Sequence, residues 1–353
     1  PEAFARITKV MLPKDYLAYR MSGRFVTDDS DARGTLMFDV AHRCWSGPMV
    51  ELVGLRPGQL PEVHESWEAV GTLTMEAARD LGLEERVRVI AGAGDNAAAA
   101  VGMGTVAEGQ CNISLGTSGT VFLPTARLHL AEGNTLHAFA DATGAYHLMG
   151  CILSAALANS WWVERVLGSG YAEEAAGIAE ESLGRNRVVF LPYLMGERSP
   201  INDVAARAVF VGMDADTSRN DLSQAVMEGV AFALRQCLEA VGSMGVCADR
   251  LTVCGGGAKS VTWLRILASV IGRPLRVLES EAGPGYGACL LAMVGSGAYG
   301  DVVSAAHACA PSSGRIIGPV DGATKRYESR YRAYCALYPA LRNIFPLLEV
   351  ADD

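Results

Sequence analysis

The amino-acid sequence predicts an α/β protein whose two lobes have like folds and face a cleft. Two segments carry this prediction, 87–104 and 251–271, because each runs from a short apolar strand through a glycine loop into a helix. Between them, two strand-like runs are joined by the hydroxyl-rich turn Gly116-Thr117-Ser118-Gly119-Thr120. Since open α/β sheets bind ligands at the carboxyl ends of their strands, the glycine loops are the predicted ligand sites.

Composition narrows the class of protein. The chain has 353 residues, half of them hydrophobic, which is enough for two domains and a large core. A formal charge of −9 leaves no basic stripe, so nucleic acid is excluded as a partner. No apolar run has the length of a membrane span, so no membrane partner is expected.

The number and spacing of the cysteines also limit the class of protein. Nine of them are scattered singly, with neither metal-ligand spacing nor a disulfide framework. We therefore predict no protein metal site and a reducing, cytoplasmic location. Cys237, Cys254 and Cys289 lie in apolar runs and are predicted to be small buried hydrophobic residues.

The first part of the chain is predicted to end near residue 108, which gives domains 1–108 and 109–353. A helix should start at Pro13 and end at Gly23, a proline and a glycine suited to those positions. The polar segment 27–35 is interpreted as a loop of capping and turn residues. The remaining predicted elements are short helices around 39–53, a strand at 69–73 and a helix at 74–81 capped by Thr74.

The second part alternates strands and helices. After the hairpin, the predicted elements are strand-like pieces in 135–151, a helix at 152–166, strands at 188–195 and 207–212, a long helix at 221–241, a strand at 251–254, a helix at 258–271, a strand at 275–278, a helix of small residues after it and a helix at 327–345. Trp161 and Trp162 are interpreted as core or interface residues.

Asp95 follows the first glycine loop, at the predicted start of a helix. A carboxylate at this point can accept the proton of a substrate hydroxyl as its oxygen attacks an electrophile. Asp is equally a leading N-cap residue, so the local sequence leaves both roles open.

Two other glycine-containing loops, 116–120 and 255–260, have features of phosphate-binding loops. The turn at 116–120 has more small hydroxyl residues than a hairpin needs, and its N–H and O–H groups can bind phosphate or simply close the turn. Lys259-Ser260 follows Gly255-Gly256-Gly257, but a P-loop requires glycine immediately before the lysine. The triple glycine instead favours backbone lying flat against a planar or sugar group.

Taken together, these motifs resemble the FGGY carbohydrate kinases. The motifs are Gly94-Asp95-Asn96, 115–119, 255–260, 281–288 and the run 208–213 followed by 221–228. Gly-Asp-Asn followed by small residues, together with the early 12–17 and 30–32 segments, is most similar to the xylulokinase branch of that family. The resemblance covers essentially the whole chain.

The resemblance implies two actin-like, ribonuclease-H-like domains that close on ATP, Mg²⁺ and a sugar, with D-xylulose phosphorylated to D-xylulose 5-phosphate. It makes Asp95 the catalytic base and Asn96 a sugar contact. It assigns ATP binding to a set of loop residues: Gly116, Thr117, Ser118, Gly212, Gly256, Gly257 and Lys259. It leaves a homodimer open.

Two features depart from the family. The N-terminal Asp-x-Gly-Thr phosphate loop has no counterpart here, so we interpret the chain as the larger C-terminal part of such a protein, with a truncated first domain. We accordingly expect this chain alone not to turn over. Arg33 stands where relatives carry a small residue, and it either alters the sugar pocket or faces solvent.

Other functions compete with this interpretation. Another FGGY sugar or polyol kinase would share every motif. Gly92-Ala93-Gly94-Asp95-Asn96-Ala97 also fits a Rossmann dehydrogenase fingerprint, although the acidic residue that should follow about 20 residues later is missing. An actin-like nucleotide switch is the non-enzymatic alternative, and it has no need of a base at Asp95.

Overall fold

The computed structural model describes residues 2–278, 283–311 and 313–348. The helices are α1 (Glu2–Ala5), α2 (Pro13–Ser22), α3 (Asp29–Ala32), α4 (Gly47–Leu52), α5 (Met75–Leu81), α6 (Asp95–Gly102), α7 (Ala156–Ser160), α8 (Tyr171–Ala176), α9 (Arg219–Ser243), α10 (Val261–Ile271), α11 (Pro284–Gly295), α12 (Val302–Cys309) and α13 (Ala323–Leu341). The strands are β1 (Val26–Asp28), β2 (Phe38–Asp39), β3 (Cys44–Trp45), β4 (Glu62–His64), β5 (Ala69–Thr72), β6 (Arg88–Ile90), β7 (Gly109–Leu115), β8 (Gly119–Thr125), β9 (His137–Ala140), β10 (Tyr146–Ile152), β11 (Val189–Leu191), β12 (Val209–Val211), β13 (Ala248–Cys254), β14 (Leu275–Leu278) and β15 (Gly314–Ile317).

A seven-stranded sheet organises the second part of the chain, in the order β15-β14-β13-β7-β8-β10-β9. The strands β7, β13 and β14 are parallel neighbours, and β7 and β8 form the predicted antiparallel hairpin. The predicted α/β class is therefore confirmed.

The two faces of this sheet differ, because alternate residues of a strand point to opposite sides. On one face Cys111, Ile113 and Leu115 of β7 lie in the main core, which also includes buried residues of α9 and α10. On the other face Ser114 of β7 and Cys254 of β13 line a cavity.

The first part of the chain has a different architecture. Its strands form small two-stranded sheets, with β1 parallel to β4 and β5 antiparallel to β6. The helix α2 packs on β1, β5 and β6, and Ala18, Val26 and Val89 belong to its small core. Gly23 ends α2 with a φ of 71°, as predicted for a C-cap glycine.

The two parts meet through helices. The helices α11 and α12, which come late in the chain, pack on α6 of the first part. Their shared core contains Ala97 and Val101 of α6, Leu290 and Leu291 of α11, and Ala305 of α12. The position of α6 is thus set by a segment almost 200 residues later in the sequence.

Three predictions about local structure were wrong. Segment 27–35 is not a loop, because it contains the end of β1 and the helix α3, although Asp28 does act as a capping residue by accepting a hydrogen bond from the Ser30 N–H at the start of α3. Asp28 and Asp29 are buried there. The segment 39–53 holds one helix, α4, preceded by the short strands β2 and β3. The helix predicted at 152–166 begins only at Ala156 and continues as a π-helical turn over Trp161–Val166.

The predicted burial of the tryptophan and cysteine side chains agrees better with the structure. Trp162 is buried and Trp161 stacks on Phe190, so both tryptophans are core residues. Cys237 is buried as predicted, whereas Cys254 is only half-buried and Cys289, on the outer side of α11, is exposed. None of the described helices is both long and apolar enough to cross a bilayer.

Candidate active site

Two cavities adjoin the second glycine loop. The first, of about 780 Å³, lies within the second part of the chain and is bounded by Thr117, α7, α8 and the segment 256–263. The second, of about 690 Å³, lies between the two parts and is bounded by α6, the end of β7, the same glycine loop and β14. Both volumes are in the range of small-molecule sites.

Gly256 and Lys259 line both cavities, so the glycine loop is the wall that the cavities share. The loop also packs closely against Leu115. Gly255 has a φ of 89°, and a Cβ there would lie 2.8 Å from the carbonyl carbon of Leu115. A Cβ at Gly257 would lie 2.8 Å from Leu115 Cβ, whereas one at Gly256 would meet no atom within 4 Å. The loop thus presents bare backbone to the cavities.

The hairpin turn at 116–118 faces the same region. The Thr117 carbonyl accepts hydrogen bonds from the N–H groups of Ala155 (3.0 Å) and Leu157 (3.2 Å), and the Gly116 carbonyl accepts one from Ala156 (2.8 Å). These bonds hold the start of α7 in place and occupy the carbonyl groups of the turn. Thr117 itself is exposed and lines the first cavity.

Asp95 is the first residue of α6, and Gly94 is the residue that occupies the N-cap. The capping role considered for Asp95 is therefore wrong. Its Oδ1 instead accepts hydrogen bonds from the backbone N–H (2.7 Å) and the side-chain Nδ2 (3.0 Å) of Asn96. Both side chains are exposed, so the predicted base and sugar contact lie side by side and open to solvent.

The face of α6 connects Asp95 to the second cavity. Residues four apart share one face of a helix, and Ala99 and Met103, at four and eight positions from Asp95, both line that cavity. Asp95 therefore stands at the end of the helix face that forms the cavity wall, about 6 Å along the axis from Ala99.

A buried ionic network supports the loop before Asp95. Lys14 forms ion pairs with Asp28 (3.0 Å) and Asp15 (2.9 Å), and it donates to the Ala91 carbonyl at 3.1 Å. Burial by itself lowers the pKa of Lys14, but the two carboxylates raise it above its usual value. Asp28 also accepts a hydrogen bond from Ser30 Oγ.

Ser30 completes the link, because its Oγ accepts a hydrogen bond from the Gly94 N–H at 3.0 Å. Sequence reasoning missed this network. The available signal was the run Thr27-Asp28-Asp29-Ser30-Asp31, which the turn propensity of its residues obscured.

The structure does not bring all of the predicted residues to the cavities. Gly212 follows β12 with a φ of 94°, and a Cβ there would lie 2.5 Å from the Arg187 carbonyl oxygen. Residue 212 must therefore be glycine, because its backbone passes close to Arg187 just before β11. Gly212 lines neither cavity. Gly116 and Ser118 lie in the hairpin turn beside Thr117 but are not lining residues either. Of the motif 281–288, residues 281 and 282 lie outside the described residues.

The arrangement defines a class of protein. The second glycine loop separates two cavities, and Thr117 of the hairpin turn lines one of them. The exposed Asp95 carboxylate stands at the start of α6 and is not a lining residue of either cavity. Two cavities of this size on either side of one loop define a protein with two adjoining small-molecule sites.

Comparison with known proteins agrees with this class. The model of the N-terminal domain of the FGGY family of carbohydrate kinases matches residues 1–102, and the model of its C-terminal domain matches residues 111–296. The chain belongs to the FGGY family of carbohydrate kinases.

Individual relatives are xylulose kinases. The chain is 40% identical to the xylulose kinase of Escherichia coli (strain K12) over 296 residues, which covers 83% of this chain and 61% of that protein. It is 33% identical to the xylulose kinase of Lactococcus lactis, covering 100% of this chain and 71% of that one. The chain thus spans about three fifths of the E. coli relative's length.

Solved structures show the same fold. A structure described as a xyloylose kinase from Brucella ovis superposes with a TM-score of 0.92 at 39% identity, covering 97% of this chain and 70% of that one. A xylulose kinase from Rhodospirillum rubrum gives a TM-score of 0.86 at 27% identity, covering 98% and 70%. A gluconate kinase from Lactobacillus acidophilus shares the fold at 22% identity, with a TM-score of 0.89, covering 99% and 71%.

Proposed function

We propose that this protein catalyses ATP-dependent phosphorylation of a sugar hydroxyl, converting D-xylulose to D-xylulose 5-phosphate, with Asp95 as general base and Asn96 as a sugar contact. The observation that carries the proposal is the helix face that joins Asp95 to Ala99 and Met103 on the wall of the second cavity. The xylulose kinases among its relatives support the choice of sugar.

The nucleotide belongs in the first cavity under this proposal. The wall of that cavity combines apolar residues of α7 and α8 with the bare backbone of Gly256 and Gly257, which suits an adenosine. Lys259 lines both cavities and Thr117 lines the first, and their N–H, hydroxyl and ammonium groups are suited to phosphate. Gly116 and Ser118 flank Thr117 in the hairpin turn, and Gly212 directly follows β12; all three remain predicted ATP-site residues.

The chemistry assigns a step to each group. The Asp95 carboxylate accepts the proton of the sugar hydroxyl, whose oxygen forms a bond to the γ-phosphorus of ATP. The bond from that phosphorus to the β,γ-bridging oxygen breaks, and ADP leaves with the electron pair. The other contributions of the protein are to position the substrates and to stabilise charge, because phosphoryl transfer depends mainly on these two effects.

The described residues do not offer a protein cage for Mg²⁺. No three His, Cys, Asp or Glu side chains among them are arranged to hold a metal ion. Mg²⁺ commonly keeps several waters and is bound through substrate phosphates with one or two carboxylates.

We also propose that residues 1–108 form part of the sugar-binding domain and 109–353 the ATP-binding domain. The helices α11 and α12 then belong to the ATP-binding domain by sequence, yet they pack on α6, which carries the base. A movement of one domain relative to the other would therefore change the contact of α11 and α12 with α6.

Coupled ADP release by the complete gene product tests the function, with D-xylulose, D-ribulose, glycerol and D-gluconate compared. Asp95→Asn should lower kcat on D-xylulose by roughly 10²–10⁴, the usual contribution of a general base. Asp80→Asn, an exposed carboxylate on α5, is the matched control and should retain activity.

Each result has a clear meaning. Turnover on D-xylulose that is lost only in Asp95→Asn supports both the sugar and the base. Preferred turnover on another sugar retains the family and refutes D-xylulose. If ATP binds but no sugar stimulates ADP release, a nucleotide switch replaces the kinase.

A further inference from the structure

Arg33 lies beside the proposed base. Its Nε donates to the Ser30 carbonyl at 2.5 Å, and the hydroxyl of the same serine accepts from the N–H of Gly94, the residue before Asp95. On its other side the guanidinium lies over the ring of Phe139 in β9, with Cζ 3.6 Å from the ring centroid. Through Ser30, Arg33 thus connects the residue before α6 with the edge strand β9 of the large sheet.

Its charge is not neutralised by a direct ion pair. Asp28, Asp29, Asp31 and Asp95 all act on the guanidinium electrostatically. Among the described residues, however, no carboxylate oxygen lies within 4 Å of it, and the Ser30 carbonyl is its recorded hydrogen-bond acceptor. Burial lowers the pKa of Arg33 to about 10, which still leaves it a cation at neutral pH.

The neighbouring cations are already engaged. Lys14 is paired with Asp15 and Asp28, and Arg43 is paired with Asp29 at 2.7 Å. A guanidinium carries five N–H donors in a plane, and the Ser30 carbonyl uses one. Arg33 acts electrostatically with Asp95, and within the described part of the chain its remaining donors have no acceptor in the structure, so they can serve a ligand.

The wall behind Arg33 is aromatic and uncharged. His137 stacks on Phe139 with centroids 5.1 Å apart, and His147 stacks on Phe122 at 4.1 Å. Both nitrogens of His147 and Nε2 of His137 are buried without a partner, and burial lowers the pKa of both rings. This wall holds the guanidinium flat without adding charge.

We propose that Arg33 is a specificity-determining residue of the sugar site, where its planar donors bind hydroxyl or carbonyl oxygens of a neutral ketose. The proposal rests on the sugar kinase function proposed above. Asp28, Asp31 and Asp95 act on Arg33 electrostatically, and a further carboxylate beside them would be repelled, so the site favours an uncharged sugar over a sugar acid.

The test uses the complete gene product and the variants Arg33→Ala and Arg33→Lys. The alanine variant should raise KM for D-xylulose by about tenfold or more, the effect of losing a charge-assisted hydrogen bond, with KM for ATP unchanged. The lysine variant keeps the charge but not the planar fork, so its KM for D-xylulose should lie between those of the unmodified protein and of Arg33→Ala. Arg79→Ala, an exposed arginine of α5, is the matched control.

Two further readouts separate binding from folding. Calorimetric titration with D-xylulose should show the same loss of affinity without turnover, and the Tm of Arg33→Ala should stay close to that of the unmodified protein. D-gluconate should be a poorer substrate than D-xylulose.

The failures are distinguishable. If the unmodified protein shows no sugar-dependent ADP release, the proposed function fails and the Arg33 role with it. If that protein is active but Arg33→Ala leaves KM for D-xylulose within about twofold, or changes the two KM values equally, only the Arg33 proposal is overturned. A preference for D-gluconate that Arg33→Ala abolishes would overturn the neutral-sugar assignment.

Discussion

The backbone of α11 at Gly287 lies directly against the carbonyl of Ala98 in α6. A Cβ at Gly287 would be 1.7 Å from that oxygen and 3.0 Å from the Gly102 nitrogen, so only glycine permits the two helices to approach this closely. Because Asp95 is the first residue of α6, this contact fixes where the proposed base stands relative to the second cavity.

Replacing this glycine should displace α6. We expect Gly287→Ala to lower the free energy of unfolding by roughly 1–3 kcal/mol through overpacking and to lower kcat as Asp95 moves. Gly285→Ala, in the same helix, meets no atom within 4 Å and should be neutral or slightly stabilising. Urea unfolding and ADP release check both variants, and equal behaviour of the two would contradict the prediction.

The second glycine loop allows a similar comparison. A methyl group at Gly256 meets no atom within 4 Å, and Gly256 lines both cavities, so Gly256→Ala should raise KM for ATP with Tm unchanged. Gly257→Ala would press on Leu115 and Trp263 and should lower Tm instead. A Gly256→Ala variant with unaltered nucleotide affinity would argue against ATP at this loop.

Arg43 connects the two parts of the chain. Its Nη1 donates to Asp29 Oδ2 (2.7 Å) and Glu65 Oε1 (3.0 Å), and its Nη2 donates to the carbonyls of Gly144 and Ala145 in the turn between β9 and β10. Arg43→Met leaves the buried Asp29 carboxylate without its cation and should cost roughly 1–3 kcal/mol of unfolding free energy.

Two controls accompany this variant. Adding Asp29→Asn should recover part of the loss, because the pair is coupled. Arg24→Met removes an exposed ion pair with Glu62 and should change stability by at most about 1 kcal/mol. Strict additivity of the Arg43 and Asp29 variants would show that the pair contributes no coupling.

Glu228 should make stability depend on pH. Burial raises its pKa to about 7, although Gln224 and Tyr327 donate hydrogen bonds to its Oε1 and lower it in part. A raised pKa in the folded state means that the stabilisation is complete below the usual glutamate range and is lost as pH rises through about 7.

The Tm should therefore fall less in Glu228→Gln than in the unmodified protein between about pH 5 and pH 8. Glu132→Gln, an exposed carboxylate, serves as the control and should follow the unmodified protein. Parallel Tm profiles for all three proteins would show that Glu228 does not titrate as described.

Much of the fold followed from local patterns. The strand β14, the hairpin of β7 and β8, the cap at Thr74 and the C-cap at Gly23 lie where the sequence predicted them, because alternation, turn residues and capping act within a few positions. The capping residues predicted in the Asp-rich segment 27–35 include Asp28 at the start of α3, but the helix itself was not predicted, because these residues favour turns locally whereas here the buried Asp28 pairs with the half-buried Lys14.

The sequence by itself determined the α/β class, the glycine loops and the family, since these depend on residue types at short spacing. Only the tertiary structure decided which loops share a wall, that Gly94 rather than Asp95 caps α6, and that Arg33 lies between Phe139 and the start of α6. These relationships join residues as much as about 190 positions apart, such as Ala98 and Gly287, and they depend on how closely backbones can pack. That information is carried by the packed chain as a whole and by no single motif.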